Sequence, residues 1–224
     1  MEPTTVAAAE RPLGVAVGRA LLRGDLAVPE TPHGLVVFAH GSGSSRYSAR
    51  NRQVAARLQA EGLATFLIDL LAPHEIPDPR LVFDVGLLAE RLAAAAERGR
   101  SQPELRSLPV GYVGASTGAA AALVAAAVSG GIAAIVSRGG RPDLAAEALG
   151  QVRAPTLLVV GSRDEAVLAL NEAAFVQLRC ERELVIVPGA GHLFEEAGAL
   201  DRFAELAAAW FDRHLPAPGI APAG

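Results

Sequence analysis

Ser116, Asp164 and His192 are the residues of this chain whose types and spacing could do chemistry. A serine hydroxyl becomes nucleophilic when a histidine accepts its proton, and an acidic side chain can hold that imidazole in the required tautomer. Each of the three residues follows a short apolar run that predicts a β-strand. The sequence therefore predicts that they meet at one edge of a sheet and act on an acyl carbon.

Ser116 lies in the segment Gly114-Ala115-Ser116-Thr117-Gly118, between a predicted strand and an alanine-rich predicted helix. A G-x-S-x-G pattern in this setting is typical of a sharp, strained turn, because side chains at the glycine positions would collide with the strand and the helix. Such a turn exposes the serine hydroxyl above the sheet. The alternative is a turn of small residues in which Ser116 only caps the helix.

His192 is the predicted general base, since it follows the glycine-rich loop 188–191, which gives an imidazole freedom to approach the serine oxygen. The alternative is a surface histidine without a catalytic role. His40 is a competing base, although it fits better in the loop described below.

Asp164 follows the predicted strand at 156–160 and would orient the imidazole. Glu165, Asp143 and Asp69 are rival acids at or near strand ends. Asp164 itself could instead cap the helix that starts beside it.

The glycine- and serine-rich loop 40–45 follows the predicted strand at 35–39. Its backbone N–H groups could bind an oxyanion, and the N–H groups of Ser42 and Thr117 form the predicted oxyanion hole. The same loop could hold a phosphate or simply join a strand to a helix. The chain has no lysine, so nothing supports a nucleotide site.

The apolar runs alternate with helical patterns, which predicts an α/β fold with a mostly parallel, doubly wound sheet flanked by helices. The predicted buried strands are 35–39, 64–68, 110–113, 132–136, 156–160 and 184–187, with antiparallel edge strands at 13–18 and 21–28. The predicted helices lie at 48–61, along Leu81, Val85, Leu88 and Leu92, after Ser116, near 142–149, after Asp164, and along Phe203, Leu206, Ala207 and Trp210.

The composition excludes several classes of protein. The 224 residues suffice for one domain, and we expect an ordered core at about 13–215 with flexible ends at 1–12 and 216–224. Every basic residue apart from histidine is arginine, which excludes P-loop, protein-kinase and pyridoxal sites because each needs a lysine. The single cysteine, Cys180, excludes internal disulfides and multi-cysteine zinc sites.

Charge and hydropathy predict a soluble, cytoplasmic protein. The net charge of −4 provides no basic surface for nucleic acid, and no histidine spacing suits a metal ligand set. The first residues do not have the pattern of a secretory signal, and the longest apolar run is too short to predict a membrane span. We therefore expect a small-molecule substrate and no cofactor, metal, nucleic acid or membrane partner, whereas the oligomeric state stays open.

The segments around these residues resemble the α/β-hydrolase fold and, within it, the dienelactone hydrolase-like family. The resemblance covers about residues 15–215 and rests on the segments 39–46, 114–120 and 191–195. It implies Ser116 as nucleophile, His192 as base and Asp164 as orienting acid, in the chain order of that fold. Within that family, the resemblance is to a bacterial branch in which the hydrolase domain is sometimes fused to a phosphoribosyltransferase. No segment of this chain resembles the phosphoribosyltransferase domain.

Dienelactone hydrolases proper use a cysteine nucleophile, whereas this turn carries Ser116. We therefore expect an esterase for small or accessible esters or lactones rather than for dienelactone itself. An acyltransferase or perhydrolase with the same triad is one alternative, and a non-catalytic binding module is another.

The substrate pocket is predicted to be open, because the segment between the strands at 132–136 and 156–160 is too short for a cap domain. The candidate substrate contacts are His40, Gly41, Arg46 and Arg138. Arg138 could bind a carboxylate or phosphate of the substrate, or it could pair with a nearby acid such as Asp143.

Overall fold

Short apolar runs form an eight-stranded sheet in the computed structural model, which describes residues 8–216. The strands are β1 (Ala9–Val17), β2 (Ala20–Val28), β3 (Gly34–Ala39), β4 (Leu63–Ile68), β5 (Val110–Ala115), β6 (Ala134–Arg138), β7 (Thr156–Gly161) and β8 (Arg182–Val187). β3, β4 and β7 are buried along their whole length. Helices cover both faces of the sheet there, which explains the uninterrupted apolar sequences of these strands.

The strand order across the sheet is β1-β2-β4-β3-β5-β6-β7-β8. β1 pairs antiparallel with β2, and β2 pairs antiparallel with β4, while all other neighbours are parallel. β4 lies on one side of β3 and β5 on the other, so the winding direction reverses next to β3. Ligands of such sheets bind beyond the carboxyl ends of the strands at this reversal.

Seven α-helices connect or follow the strands within residues 8–216. They are α1 (Ala49–Ala60), α2 (Pro79–Val82), α3 (Val85–Arg100), α4 (Thr117–Ser129), α5 (Ala146–Leu149), α6 (Glu165–Gln177) and α7 (Ala199–His214). α1 and α7 share one apolar core with the sheet, and α3 and α4 share another. The sheet is therefore sandwiched between two helical layers.

Local signals explain how the helices begin and end. The Ser48 hydroxyl accepts a hydrogen bond from the N–H of Asn51, which caps α1 at the start of the predicted 48–61 helix. Gly62 ends this region with a φ of +84°. Phe203, Ala207 and Trp210 are buried on α7, in agreement with the predicted apolar stripe.

The main differences from the predicted elements lie at the boundaries of helices and strands. The helix predicted along Leu81 to Leu92 is two helices, because the Asp84 side chain accepts the N–H of Leu87 and starts α3 anew. β1 begins at Ala9, before the predicted start at 13, because pairing with β2 extends it. The predicted 142–149 helix is a 3₁₀ turn (Pro142–Ala145) followed by α5.

The ends were predicted to be flexible at 1–12 and 216–224. Residues 9–12 are instead part of β1, where pairing with β2 orders them, and 1–7 and 217–224 lie outside the described part of the chain. Between β6 and β7 the structure has only the 3₁₀ turn and α5, so no further domain is inserted there. No helix in residues 8–216 is both long enough and apolar enough to cross a bilayer.

Candidate active site

The strand register brings the predicted loops to one edge of the sheet. β3 and β5 are paired with Ala39 opposite Gly114, so the loop after β3 lies beside the turn after β5. β7 and β8 are paired with Gly161 opposite Val187, so the loops after these strands start side by side. Four segments that are far apart in the sequence therefore converge.

Ser116 occupies a strained turn between β5 and α4. Its φ of 50° and ψ of −121° are unfavourable for a residue with a Cβ, and such strain is concentrated at functional sites. A Cβ at Gly118 would overlap the carbonyl oxygen of Ala39, and a Cβ at Gly114 would overlap the backbone of Ala119. The side chain of Ser116 makes no capping bond to α4, so the alternative role of helix cap is not observed.

His192 and Asp164 form a hydrogen bond across the two neighbouring loops. The Nδ1 atom of His192 lies 2.6 Å from Oδ2 of Asp164. A carboxylate can only accept, so in the neutral form of the ring Nδ1 carries the proton and Nε2 is an acceptor. Asp164 makes no side-chain cap on α6, which removes the alternative role weighed for it.

The loop of His192 reaches back across the sheet toward Ser116. Gly139, just after β6, makes this path possible, because a Cβ there would lie 3.3 Å from the backbone oxygen of His192. Ser116 and His192 line the same cavity.

The rival acids are engaged elsewhere. Asp143 pairs with Arg141 at 2.7 Å, and Asp69 pairs with Arg46. Glu165 lies in the first turn of α6. Of the four candidate acids, Asp164 is therefore the one that contacts the imidazole.

Two residues that the sequence analysis did not single out fix the loop of His192. Glu196 accepts the N–H of Gly191 at 3.0 Å and pairs with Arg163, next to Asp164. Phe194 is buried against the ring of Phe203, with centroids 6.0 Å apart. Phe194 has a φ of 55°, which is unfavourable for a residue with a Cβ, and burial of its ring in the core compensates for this strain.

We call the cavity that contains Ser116 and His192 the polar cavity. Its volume is about 330 Å³, and its other lining residues include Gly41–Ser44, Ser48, Arg50, Asn51 and Arg138. The Arg50 guanidinium is paired with Glu195 at 2.9 Å. Arg138 therefore has the less compensated positive charge of the two.

Arg138 is a buried arginine without an acidic partner among residues 8–216. One guanidinium nitrogen donates to the side-chain oxygen of Asn51 at 3.0 Å, and the other terminal nitrogen has no hydrogen-bond partner in the described residues. Burial, with a smaller effect of the Arg50 charge, lowers the pKa of Arg138 to about 10. The guanidinium is still charged at neutral pH, so a buried cation faces the polar cavity. The predicted alternative partner, Asp143, pairs with Arg141 instead.

Asn51 was not found by sequence reasoning. It is 4% exposed and shares a helix face with Val54, Ala55 and Leu58 of α1. The sequence signal that could have identified Asn51 is a polar residue that shares the i, i+3, i+4, i+7 spacing of an otherwise apolar helix face.

A second cavity, the apolar cavity, lies on the other side of the 41–44 loop. Its volume is about 170 Å³, and it is lined by His40, Gly41–Ser45, Asp69, Leu70, Leu71, Ile76, Val82, Leu88 and Thr117. Both cavities share Gly41–Ser44. The loop predicted to bind an oxyanion therefore separates a polar space from an apolar one.

The backbone of this loop is held by two hydrogen bonds. His40 Nδ1 donates to the carbonyl oxygen of Gly41 at 2.9 Å, and the N–H of Ser42 donates to Oγ1 of Thr117 at 3.0 Å. These two backbone groups belong to one peptide unit, which is consequently fixed at both ends. The predicted oxyanion donor Ser42 thus already has a partner, a contact that the sequence did not predict.

Arg46 differs from the prediction that it contacts substrate. It forms ion pairs with Asp69 and, through Nε at 3.3 Å, with Asp25. It is not among the residues that line either cavity. Its guanidinium joins the loop after β3 to β2 and to the residue that follows β4.

Acid is expected to weaken the fold through His40. Burial lowers the pKa of His40, so the unfolded chain binds this proton more tightly than the folded one. The free energy of unfolding should therefore fall as the pH drops below about 6.5, the ordinary value for histidine. Urea unfolding at pH 7.5 and 5.5 measures this fall, and His40→Gln should reduce it.

The pKa of His214 is also lowered by burial, so part of the pH dependence should persist in His40→Gln. The matched control is His74→Gln, which replaces an exposed histidine outside the loop after β3. An equal pH dependence in the wild type and His40→Gln would contradict the assignment.

Among residues 8–216, no three histidine, cysteine, aspartate or glutamate side chains are grouped closely enough to hold a metal ion.

Residues 22–212 match the model of the dienelactone hydrolase family. The chain belongs to this family. A crystal structure of a dienelactone hydrolase from Anabaena variabilis is 53% identical in sequence, with a TM-score of 0.89 over 93% of this chain and 99% of that one. The expected family is thereby confirmed, together with the α/β-hydrolase fold and its mostly parallel sheet.

More distant structures share the fold. A dienelactone hydrolase-like promiscuous phosphotriesterase, P91, from metagenomic libraries is 19% identical, with a TM-score of 0.77 over 93% of this chain and 99% of that one. Est1E from Butyrivibrio proteoclasticus is 16% identical, with a TM-score of 0.76 over 89% of this chain and 97% of that one.

Two strains of Mycobacterium tuberculosis contain a curated relative named "Putative phosphoribosyl transferase". It is 54% identical over 219 residues, which are 95% of this chain and 49% of the relative. The chain therefore spans about half the length of these relatives.

Proposed function

We propose that this protein is a serine hydrolase that cleaves small or accessible carboxylic esters or lactones through an acyl-enzyme. The observation that carries the proposal is the bond from His192 Nδ1 to Asp164, beside the cavity that also contains Ser116. It leaves Nε2 of the imidazole as a proton acceptor, as general-base catalysis requires. Membership in a hydrolase family supports the same chemistry.

In the first half of the proposed reaction, Ser116 Oγ forms a bond to the carbonyl carbon while its proton passes to His192 Nε2. The carbonyl π electrons move to the oxygen, and the N–H group of Thr117 is the proposed backbone donor to this oxyanion, while the N–H of Ser42 donates to Thr117 Oγ1. As the oxyanion collapses, the ester C–O bond breaks and the leaving alcohol takes the proton from Nε2. An acyl-serine remains.

In the second half, a water molecule gives a proton to His192 Nε2 and its oxygen attacks the acyl carbon. The bond from carbon to Ser116 Oγ then breaks, and the serine regains its proton. An alcohol or a peroxide in place of water would turn the same intermediate toward acyl transfer or perhydrolysis. Product analysis with a competing alcohol distinguishes these outcomes.

The two cavities are proposed to bind different parts of the substrate. The apolar cavity suits a short acyl or alcohol group, because Leu70, Leu71 and Leu88 contribute apolar walls. Arg138, in the polar cavity, is the proposed contact for an anionic group of the substrate. A buried cation with a free donor is stabilised by binding a carboxylate or a phosphate.

We expect Arg138→Met to lower kcat/KM for an anionic ester such as p-nitrophenyl hemisuccinate by about 10–10²-fold, because one charge-assisted hydrogen bond is lost. Hydrolysis of neutral p-nitrophenyl acetate should change by less than about threefold. The melting temperature should change little, since removal of an unpaired buried charge offsets the loss of the donor to the buried Asn51 oxygen.

Arg141→Met is the matched control, because Arg141 pairs with Asp143 and is not among the residues lining the polar cavity. Equal losses for the charged and the neutral ester in Arg138→Met would contradict an anion contact. A p-nitrophenyl ester with a phosphorylated acyl chain, assayed in parallel, distinguishes phosphate from carboxylate.

We propose that the phosphoribosyl transferase name of the mycobacterial relatives refers to the part of those proteins that this chain does not match. The matched half corresponds to a dienelactone hydrolase domain, in which 22–212 fit the family model. An assay of this chain with phosphoribosyl pyrophosphate and a nucleobase is expected to release no pyrophosphate.

A fluorophosphonate probe tests the proposed function directly. It reacts with activated serines, so the wild-type protein should gain one adduct on the peptide that contains Ser116. Mass spectrometry locates the adduct, and p-nitrophenyl acetate hydrolysis should disappear in proportion. A protein that neither reacts with the probe nor hydrolyses esters of any acyl length would be a binding module instead.

A further inference from the structure

The contact between Ser42 and Thr117 joins the loop after β3 to the residue that follows Ser116. Thr117 directly follows Ser116, and Ser42 lines both the polar and the apolar cavity. The N–H of Ser42 donates to Oγ1 of Thr117 at 3.0 Å. Thr117 lines the apolar cavity and is not among the residues lining the polar cavity, so its side chain lies on the apolar side of the shared loop, one residue after Ser116.

The hydroxyl proton of Thr117 is not used within the described residues. A hydroxyl group has one proton and two acceptor lone pairs. Ser42 occupies a lone pair, and within residues 8–216 the Thr117 hydroxyl donates no hydrogen bond. Thr117 is only 2% exposed, so bulk water does not surround this proton. A buried donor without a partner is costly, and a substrate oxygen would satisfy it.

We propose that the Thr117 hydroxyl is a catalytic hydrogen-bond donor to the oxyanion, in addition to the N–H group of the same residue. This inference rests on the proposed serine hydrolase mechanism. The proton stays on Oγ1 and forms a hydrogen bond to the developing negative charge. The N–H of Ser42 polarises the hydroxyl by donating to it, which strengthens the hydroxyl as a donor.

His40 keeps this arrangement in place. Its Nδ1–H donates to the carbonyl oxygen of Gly41, in the same peptide unit as the N–H of Ser42. The orientation of that unit aims the N–H at Thr117 Oγ1. His40 is accordingly a positioning residue, which acts on the oxyanion through Ser42 and Thr117.

The opposite interpretation of the same contact is that the Thr117 hydroxyl masks Ser42. The Ser42 N–H would then bind the oxyanion only after the contact breaks. Removing the hydroxyl would free the Ser42 donor and maintain or raise the rate. The two interpretations therefore predict opposite effects of Thr117→Val, which has nearly the same shape as threonine.

The experiment compares Thr117→Val, Thr117→Ala and Thr117→Ser with the wild type in p-nitrophenyl acetate hydrolysis. We expect kcat to fall about 10²-fold in the valine and alanine variants, the usual effect of losing one oxyanion donor. KM should change by less than about threefold, and Thr117→Ser should retain kcat within about threefold. Rates at or above the wild-type value in Thr117→Val and Thr117→Ala would overturn the proposal.

A boronic acid provides a readout that a purely structural role would not move. Its tetrahedral adduct with Ser116 needs the oxyanion donors, so its inhibition constant should rise in parallel with the loss of kcat. The inhibition constant of the carboxylate product should stay within about threefold. Parallel weakening of both inhibitors would also overturn the proposal.

Thr156→Val is the matched control. Thr156 is a fully buried threonine whose hydroxyl donates to Ala154 at 2.9 Å, at the other end of β7. It should lose stability without losing kcat. If Thr117→Val does not fold, the alanine and serine variants carry the comparison. A wild-type protein without esterase activity or probe labelling would refute the proposed function itself, before any threonine variant is compared.

Discussion

Ser116→Ala is expected to lower kcat for p-nitrophenyl acetate by about 10⁴-fold or more, because no acyl-enzyme can form without the hydroxyl. Covalent labelling by a fluorophosphonate should disappear entirely. The fold should persist, since alanine retains the Cβ that already defines the strained turn at φ 50°. Steady-state hydrolysis, intact-protein mass spectrometry and a thermal melt of the purified variant measure these three outcomes.

Two controls make the Ser116 result specific. Ser129→Ala alters a serine at the opposite end of α4 and should keep full activity. Cys180→Ala tests the thiol, because dienelactone hydrolases proper use cysteine while Cys180 here precedes β8 and is half-buried. Activity that survives in Ser116→Ala but disappears in Cys180→Ala would move the nucleophile to the thiol and overturn the mechanism.

Asp164→Asn is expected to lower kcat by about 10²–10⁴-fold while KM changes little. The carboxylate accepts a hydrogen bond from Nδ1 of His192. In the proposed mechanism it stabilises the imidazolium that forms when the serine is deprotonated. An amide NH₂ in its place favours the tautomer with the proton on Nε2, which cannot accept from Ser116. The readout is the pH profile of kcat/KM, measured with a neutral ester so that Arg138 does not affect it.

Asp143→Asn is the matched control for the acid. Asp143 is also at a strand end and was a rival in the sequence, but its carboxylate is bound to Arg141. Its substitution should change kcat by less than about threefold and weaken only that local ion pair. A larger loss in Asp143→Asn than in Asp164→Asn would mean that the imidazole exchanges partners during the reaction.

Sequence reasoning identified the parts of the site whose requirements are local. The glycines at 114 and 118 are required by close approach within one strand–turn–helix unit, so the pattern around Ser116 was readable without knowing the rest of the fold. The alternation of apolar runs and helical stripes likewise predicted the sheet, since buried parallel strands carry uninterrupted apolar residues. The acid was predicted with several rivals, because a strand end alone does not say which carboxylate reaches the histidine.

Strand register and loop packing decided the contacts between distant segments. Asp164 meets His192 because β7 and β8 are neighbours, and Asp143 does not because Arg141 holds it. Arg46 was expected at the substrate but pairs with Asp69 and Asp25. Nothing in the local pattern distinguishes an arginine that binds carboxylates of its own chain from one that faces a cavity.

The sequence by itself determined the strained, glycine-flanked turn at Ser116, the layered architecture and the absence of lysine side chains, because these follow from residue types and short spacings. Only the tertiary structure decided that the N–H of Ser42 is bound by Thr117 and that Arg138 is buried beside Asn51 without an acid. The physical reason is that hydrogen bonds and charge pairs depend on positions within a few ångströms. Such positions are set jointly by all the strands and helices that converge on the site.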